Sequence, residues 1–141
     1  MFGEATSVNC QTQFWDTQPD FYKASLCNAQ LCFANGVLAE AVYGKGETFW
    51  QSENIFTIYG EAGTLIFTPE SGQLIQGENR QTIKVGTRRG LFAKDTEMVL
   101  DSLLNGTPLY VKNTSSLYAL KVADAARRSS ETRQNVAIDN S

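Results

Sequence analysis

The chain has 141 residues, 42% of them hydrophobic and 19% charged, with a formal net charge of −3. A chain of this length buries roughly 68–70% of its unfolded surface and needs no staples to hold a core, so residues 1–141 are expected to form a single domain. Its basic residues adjoin one another only at Arg88-Arg89 and Arg127-Arg128, which leaves no electrostatic footprint for nucleic acid or anionic lipid.

From the N-terminus, Val8, Cys10, Thr12 and Phe14 alternate with Ser7, Asn9, Gln11 and Gln13, the period of a half-buried strand with one polar face. Asp16 to Asp20, with Pro19, breaks the pattern, and the two carboxylates there read as turn chemistry. Ala24 to Ala34 resumes it, with Cys27, Ala29, Leu31 and Phe33 on one side. Asn35-Gly36 then separates this run from a second alternating run, Val37 to Tyr43, a strong hairpin signal. A second hairpin is centred on Gly60 to Gly63 between Ile55 and Thr68, followed by a turn at Glu70-Ser71-Gly72 and short strands at Leu74 to Gln76 and Thr82 to Val85. The first 85 residues thus read as one antiparallel meander. Beyond them the period becomes helical: Phe92, Val99, Leu100, Leu103 and Leu104 form one stripe, Asp95 and Glu97 suit a first turn, and Gly106 with Pro108 stops the helix. A second helix takes Thr114 or Ser115 as its cap, with Leu117, Leu120, Ala123 and Ala126 as its apolar line, widened by Ala119 and Val122. Asn135 to Ile138 adds a last strand.

The expected architecture is α+β: an open-faced, mostly antiparallel sheet of six or more strands with two C-terminal helices packed on one face. Two helices cannot cover both faces of such a sheet. The second face carries some apolar residues, Leu26 and Ile66 among them, so a two-fold dimer packed sheet on sheet is the expected solution.

Absence narrows the chemistry further. The chain contains no histidine, so a Ser-His or Cys-His nucleophile pair, a histidine metal site and histidine acid–base work cannot lie within it. No Gly-x-Gly-x-x-Gly follows a strand and opens a helix, and there is no Walker-type loop, so no nucleotide-phosphate cradle is legible. Cys10, Cys27 and Cys32 match no metal spacing and read as free thiols in a reducing cytoplasm. Cys27 and Cys32, five apart, face opposite sides of one strand and cannot bond each other. With no signal-peptide pattern and no apolar stretch of roughly 18 residues, a soluble cytoplasmic protein is expected. The best ligand wall is the aromatic set at the strand ends, Phe14, Trp15, Phe21, Tyr22, Phe49 and Trp50, which serves equally well as the rim of a dimer interface. Arg88 and Arg89 stand as an anion clamp or as a solvated loop pair.

One ordered set of phrases carries a family resemblance. Asn35-Gly36 after a long strand, Ile58-Tyr59-Gly60-Glu61-Ala62-Gly63-Thr64-Leu65, the helix opening around Phe92 and Asp95, Leu103 to Pro108, and Leu120 to Ser130 with Val136 following together resemble the C-terminal domain of the glucose-fructose oxidoreductase, inositol dehydrogenase and rhizopine-catabolism (Gfo/Idh/MocA) oxidoreductase family. The resemblance spans nearly the whole chain. It implies an open-faced domain that follows an N-terminal Rossmann domain binding NAD or NADP, in enzymes acting on sugars, polyols and related carbonyl or hydroxyl compounds. The Rossmann fingerprint, the Lys-Pro segment that closes it and the helix bearing an Asp-x-x-x-His-type motif are absent from these residues, so no catalytic and no cofactor-binding residue is carried over, and the chain reads as a fragment that is inactive alone. Within that frame Trp15, Tyr22 and Arg88 are the expected substrate wall. The alternative is a free-standing ligand-binding or assembly module that uses the open sheet. A closed β-barrel carrier is disfavoured by the two terminal helices.

Overall fold

The computed structural model describes residues 2–18, 21–86 and 89–139, with 16–18, 21 and 22 described in backbone only. The chain divides into two compact units, Met1–Trp50 with Tyr110–Ser141 and Gln51–Leu109. Among the described residues, eight strands and two helices confirm the α+β class, but the strands form two four-stranded antiparallel sheets. The single meander expected from the sequence is thus split.

In the first unit, β1 (Ala5–Gln18), β2 (Phe21–Phe33), β3 (Leu38–Gly46) and β8 (Val136–Ala137) line up in the order β3-β2-β1-β8. The alternation along the strands chose the faces correctly. Val8 and Cys10 are buried, as is Ala29 across the register, with Cys27, Leu31 and Phe33 packed against them. Asn35-Gly36 makes the β2–β3 turn with Gly36 at φ 85°, a left-handed conformation that glycine adopts without a Cβ clash. There the Phe33 N–H donates to the Val37 carbonyl at 2.9 Å, and the Val37 N–H donates to Asn35 Oδ1 at 3.2 Å.

Helix α2 (Asn113–Thr132) covers one face of this sheet, but not with the residues its periodicity suggests. Leu117 and Leu120 remain 60% and 66% exposed. The buried side is instead Ala125 and Ser129, with Tyr118, Val122 and Ala126 partly buried beside them. The reason lies in the sheet. Its covered face is paved with small residues, Ala5, Val8, Cys10 and Ala29, so the helix approaches closely through its own small side chains. Strand β8 pairs with β1 at Ser7 and Val8, with the Ile138 N–H donating to the Thr6 carbonyl at one end, and past the other end the Cys10 N–H donates to Ser129 Oγ at 2.9 Å. The Ser129 hydroxyl in turn donates to the Gln134 carbonyl. At the other end of the helix, the Tyr118 hydroxyl accepts from the Ala5 N–H and donates to the Ala5 carbonyl. The expected cap at Thr114 or Ser115 does not form: α2 starts at Asn113 after Lys112, whose carbonyl accepts from the Ser115 and Ser116 N–H groups. On the solvent side Arg127 pairs with Asp124 and Glu131 at 2.8 and 2.7 Å. Its hydrogen bond holds the Asp124 carboxyl below its usual range.

The second unit strings β4 (Phe56–Gly60), β5 (Gly63–Phe67), β6 (Gly72–Gln76) and β7 (Asn79–Ile83) into an up-and-down sheet. Both expected turns are present. Glu61-Ala62 joins β4 to β5, braced by Gln76 Nε2 donating to the Ala62 carbonyl at 2.8 Å, while Thr68 Oγ1 accepts from the Ser71 N–H at 3.1 Å in the next. Helix α1 (Leu91–Asn105) ends where expected, with Gly106 at φ 73° and its N–H donating to the Ser102 carbonyl. It begins at Leu91, which puts Asp95 and Glu97 beyond its first turn. Its apolar stripe is not a core: Phe92, Leu103 and Leu104 are 92%, 77% and 79% exposed. Among the described residues no helix is long and apolar enough to cross a membrane.

The packing of α2 yields a paired prediction. Ser129→Ala strips two hydrogen bonds from a buried site and is expected to cost about 1–3 kcal/mol, whereas Leu120→Ala at an exposed position is expected to stay within about 0.5 kcal/mol. Urea unfolding of both variants measures this, and equal losses would return α2 to the phase suggested by its leucines.

Candidate functional site

The face of the first sheet that points away from α2 is built from the polar phase of its strands. The register sets Asn9, Gln30 and Glu40 in one row, Gln11, Asn28 and Val42 in the next, and Gln13, Leu26 and Gly44 in a third. Asn9, Gln11, Gln13, Asn28, Gln30 and Glu40 are all exposed. Asn28 Nδ2 donates to Glu40 Oε1 at 3.2 Å, and Gln13 Nε2 to the Phe14 carbonyl at 2.9 Å. Each amide offers both donors and an acceptor, so the amides of this floor can meet a polar ligand edge of either sense, with Glu40 as its one carboxylate among the residues named.

An aromatic end closes the floor. The last row sets Trp15 opposite Ala24, and Ala24 opposite Gly46. The chain leaves β3 at Gly46, and the Phe49 N–H turns back to donate to the Gly46 carbonyl at 3.3 Å. This brings the Phe49 ring over Gly44, where an added Cβ would stand 2.6 Å from the ring edge. Trp15 meets Phe49 edge to face, with ring centroids 6.3 Å apart and planes at 84°, a favoured aromatic geometry. Ala24 is 1% exposed beneath this end, and the neighbouring Trp50 is 96% exposed.

Of the three residues expected to form a substrate wall, Trp15 lies in this aromatic pair. The Tyr22 side chain and Arg88 lie outside the described residues, as do the Phe21 side chain and Asp20. Phe14, grouped with Trp15 in the sequence, is 48% exposed and points to the α2 side of the sheet by its register with Ser25. What sequence reasoning passed over is the floor: its signal was the run of uncharged amides, Asn9, Gln11 and Gln13, in the polar phase of β1. Among the described residues no group of three or more Cys, Asp or Glu is placed to hold a metal ion.

The geometry predicts the response of the pair to a single methyl. Gly44→Ala must displace the Phe49 ring, and Trp15 then loses its partner. A red shift in tryptophan fluorescence is expected, because Trp50 already stands in water. An unchanged spectrum would mean that the two rings are not held together.

Residues 1–138 match a family described as the oxidoreductase family, C-terminal alpha/beta domain. No curated protein matches the chain. Among solved structures, biliverdin reductase from Synechocystis sp. PCC 6803, in complex with biliverdin and NADP+, is 53% identical over 92% of this chain and 41% of that one, with a TM-score of 0.86. A levoglucosan dehydrogenase bound to NADH and levoglucosan is 13% identical over 98% of this chain and 46% of its own, with a TM-score of 0.76. An oxidoreductase from Agrobacterium radiobacter, in complex with NAD+, L-tartaric acid and magnesium, is 14% identical over 97% and 44%, with a TM-score of 0.73. At those lower identities the likeness is one of fold. The chain spans less than half the length of each.

Proposed function

Since the chain belongs to the Gfo/Idh/MocA oxidoreductase family and carries its C-terminal α/β domain, we propose that it is the substrate-side half of an NADP-dependent enzyme that reduces an open-chain tetrapyrrole of the biliverdin type. The observation that carries this reading is the 53% identity to a biliverdin reductase over 92% of the chain. The earlier expectation of a sugar or polyol substrate has support only from neighbours such as the levoglucosan dehydrogenase, at 13% identity, and it stands second.

The floor and its aromatic end suit such a ligand. A linear tetrapyrrole presents flat conjugated rings, which stack on aromatic faces, and lactam and pyrrole edges that pair with amide donors and acceptors. In this reading Trp15 supplies one stacking wall while the amides of β1 and β2 orient the polar edge. The sheet keeps water from one side of the ligand. Tyr22 and Arg88 are the other residues we propose for substrate contact, on the sequence alone. The residues of this chain do not fit a dinucleotide: the loop before α1 reads Gly86-Thr87-Arg88-Arg89-Gly90, without the glycine spacing of a phosphate cradle. The cofactor therefore belongs to a Rossmann domain elsewhere in the parent enzyme, and the chain alone is inactive. We place the enzyme in the cytoplasm; a homodimer through the open sheet is the competing use of the same face.

The test uses the parent enzyme and the isolated chain. The parent is expected to consume NADPH when given biliverdin, and the isolated chain to consume none. In the parent, Trp15→Ala is expected to raise KM for biliverdin roughly 3- to 10-fold, the loss of one aromatic stacking contact. NADPH consumption with levoglucosan or another polyol, and none with biliverdin, would overturn the substrate assignment. An unchanged KM would remove Trp15 from the wall.

A further inference from the structure

We propose that Cys10 and Cys27 form an oxidisable dithiol, a modification site that closes to a disulfide between β1 and β2 when it meets a low-molecular-weight disulfide. Their sulfurs lie 3.4 Å apart. A disulfide needs about 2.05 Å, so an approach of about 1.4 Å separates the reduced pair from the bond. The residues are diagonal neighbours in the register, Cys10 opposite Ala29 and Cys27 opposite Thr12, on the face that α2 covers. Cys10 is 2% exposed and anchored by the bond from its N–H to Ser129 Oγ. Cys27 is half-buried, which leaves it the accessible member of the pair. Cys32 is exposed on the opposite face of β2 and cannot compete within the chain.

The chemistry runs in two exchanges. The Cys27 thiolate attacks one sulfur of a small disulfide, forming a mixed disulfide and releasing a thiolate that takes up a proton. The Cys10 thiol then gives up its proton, attacks the Cys27 sulfur and expels the second small thiolate, which is protonated in turn. Two protein thiols are oxidised by two electrons, and one small disulfide is reduced to two thiols. Burial, followed by the contact with Cys27, pushes the Cys10 thiol up to about 11. Burial, the larger cause, still acts once Cys27 is held in the mixed disulfide, so the second exchange is slow near neutrality and speeds up as the pH rises and the thiolate fraction grows. The bridge ties β1 to β2 between the core and the strand ends that carry Trp15 and Ala24. None of this depends on the identity of the substrate.

The experiment incubates the folded chain and its Cys32→Ser variant with oxidised glutathione at about pH 7 and about pH 9, then alkylates and unfolds them, counts the remaining thiols and maps the linked peptides by mass spectrometry. Cys32→Ser reduces the three free cysteines to two, and both are expected to disappear into one Cys10–Cys27 bridge, faster at the higher pH and with a raised Tm. In the unsubstituted chain the same bridge is expected beside a free or glutathionylated Cys32, which keeps the test open if the variant folds poorly. Two alkylatable thiols surviving in the folded variant, a stable glutathione adduct on Cys27 without a bridge, or an intramolecular bridge to Cys32 would each overturn the proposal.

Discussion

The first unit depends on one backbone donor that a strand leaves behind. Strand β8 pairs with β1 for two residues and stops, so the Cys10 N–H lies in a buried edge without a strand partner. A buried N–H left unpaired costs about 1–3 kcal/mol. Ser129 reaches it from α2 and passes its own proton to the Gln134 carbonyl at the chain reversal after the helix. That contact sets both the height and the rotation of α2. With Tyr118 held at Ala5, the helix is pinned at two points to the same strand, and Leu117 and Leu120 are turned away from the sheet.

The choice of small residues follows from the same constraint. A helix that approaches closely enough for a serine to touch a strand backbone leaves little room beneath it, and alanine, valine and cysteine fill the buried part of the covered face, with Leu31 and Phe33 packed beside them. Tight packing of small groups holds such an interface by dispersion and exclusion of water. The two thiols in contact are one product of that density. Because the apolar phase of β1 and β2 is consumed under α2, their other phase is free to carry amides. The result is a sheet with a close-packed side and an amide-rich polar side.

Phe49 shows how the polar side acquires an apolar boundary. The chain could have left β3 in any direction. Instead the ring folds over Gly44, where a side chain would exclude it, and meets Trp15 from a distant part of the sequence. The end of the amide floor is thereby closed by two rings in edge-to-face contact.

Much of this was legible in the residues, and the division is physical. Alternation assigned Cys27, Ala29, Leu31 and Phe33 to one face because side chains along a strand point to alternate sides. Asn35-Gly36 and Gly60 to Gly63 placed the hairpins, and Gly106 ended α1, because positive φ and two-residue turns are decided within a few residues. The uncharged amides of β1 could be read as a polar face, and Trp15 as a member of a wall. The rotation of α2 was hidden, since periodicity favours the large apolar Leu117 and Leu120 and assigns no value to a serine that satisfies a backbone donor. The split into two sheets was hidden as well, because nothing local says where a run of hairpins stops pairing. The sequence by itself determined which segments are strands, turns and helices and which chemistry is impossible without histidine. Only the tertiary structure decided which side of α2 meets the sheet and which aromatic rings touch, because both depend on groups far apart in the chain competing for the same buried space.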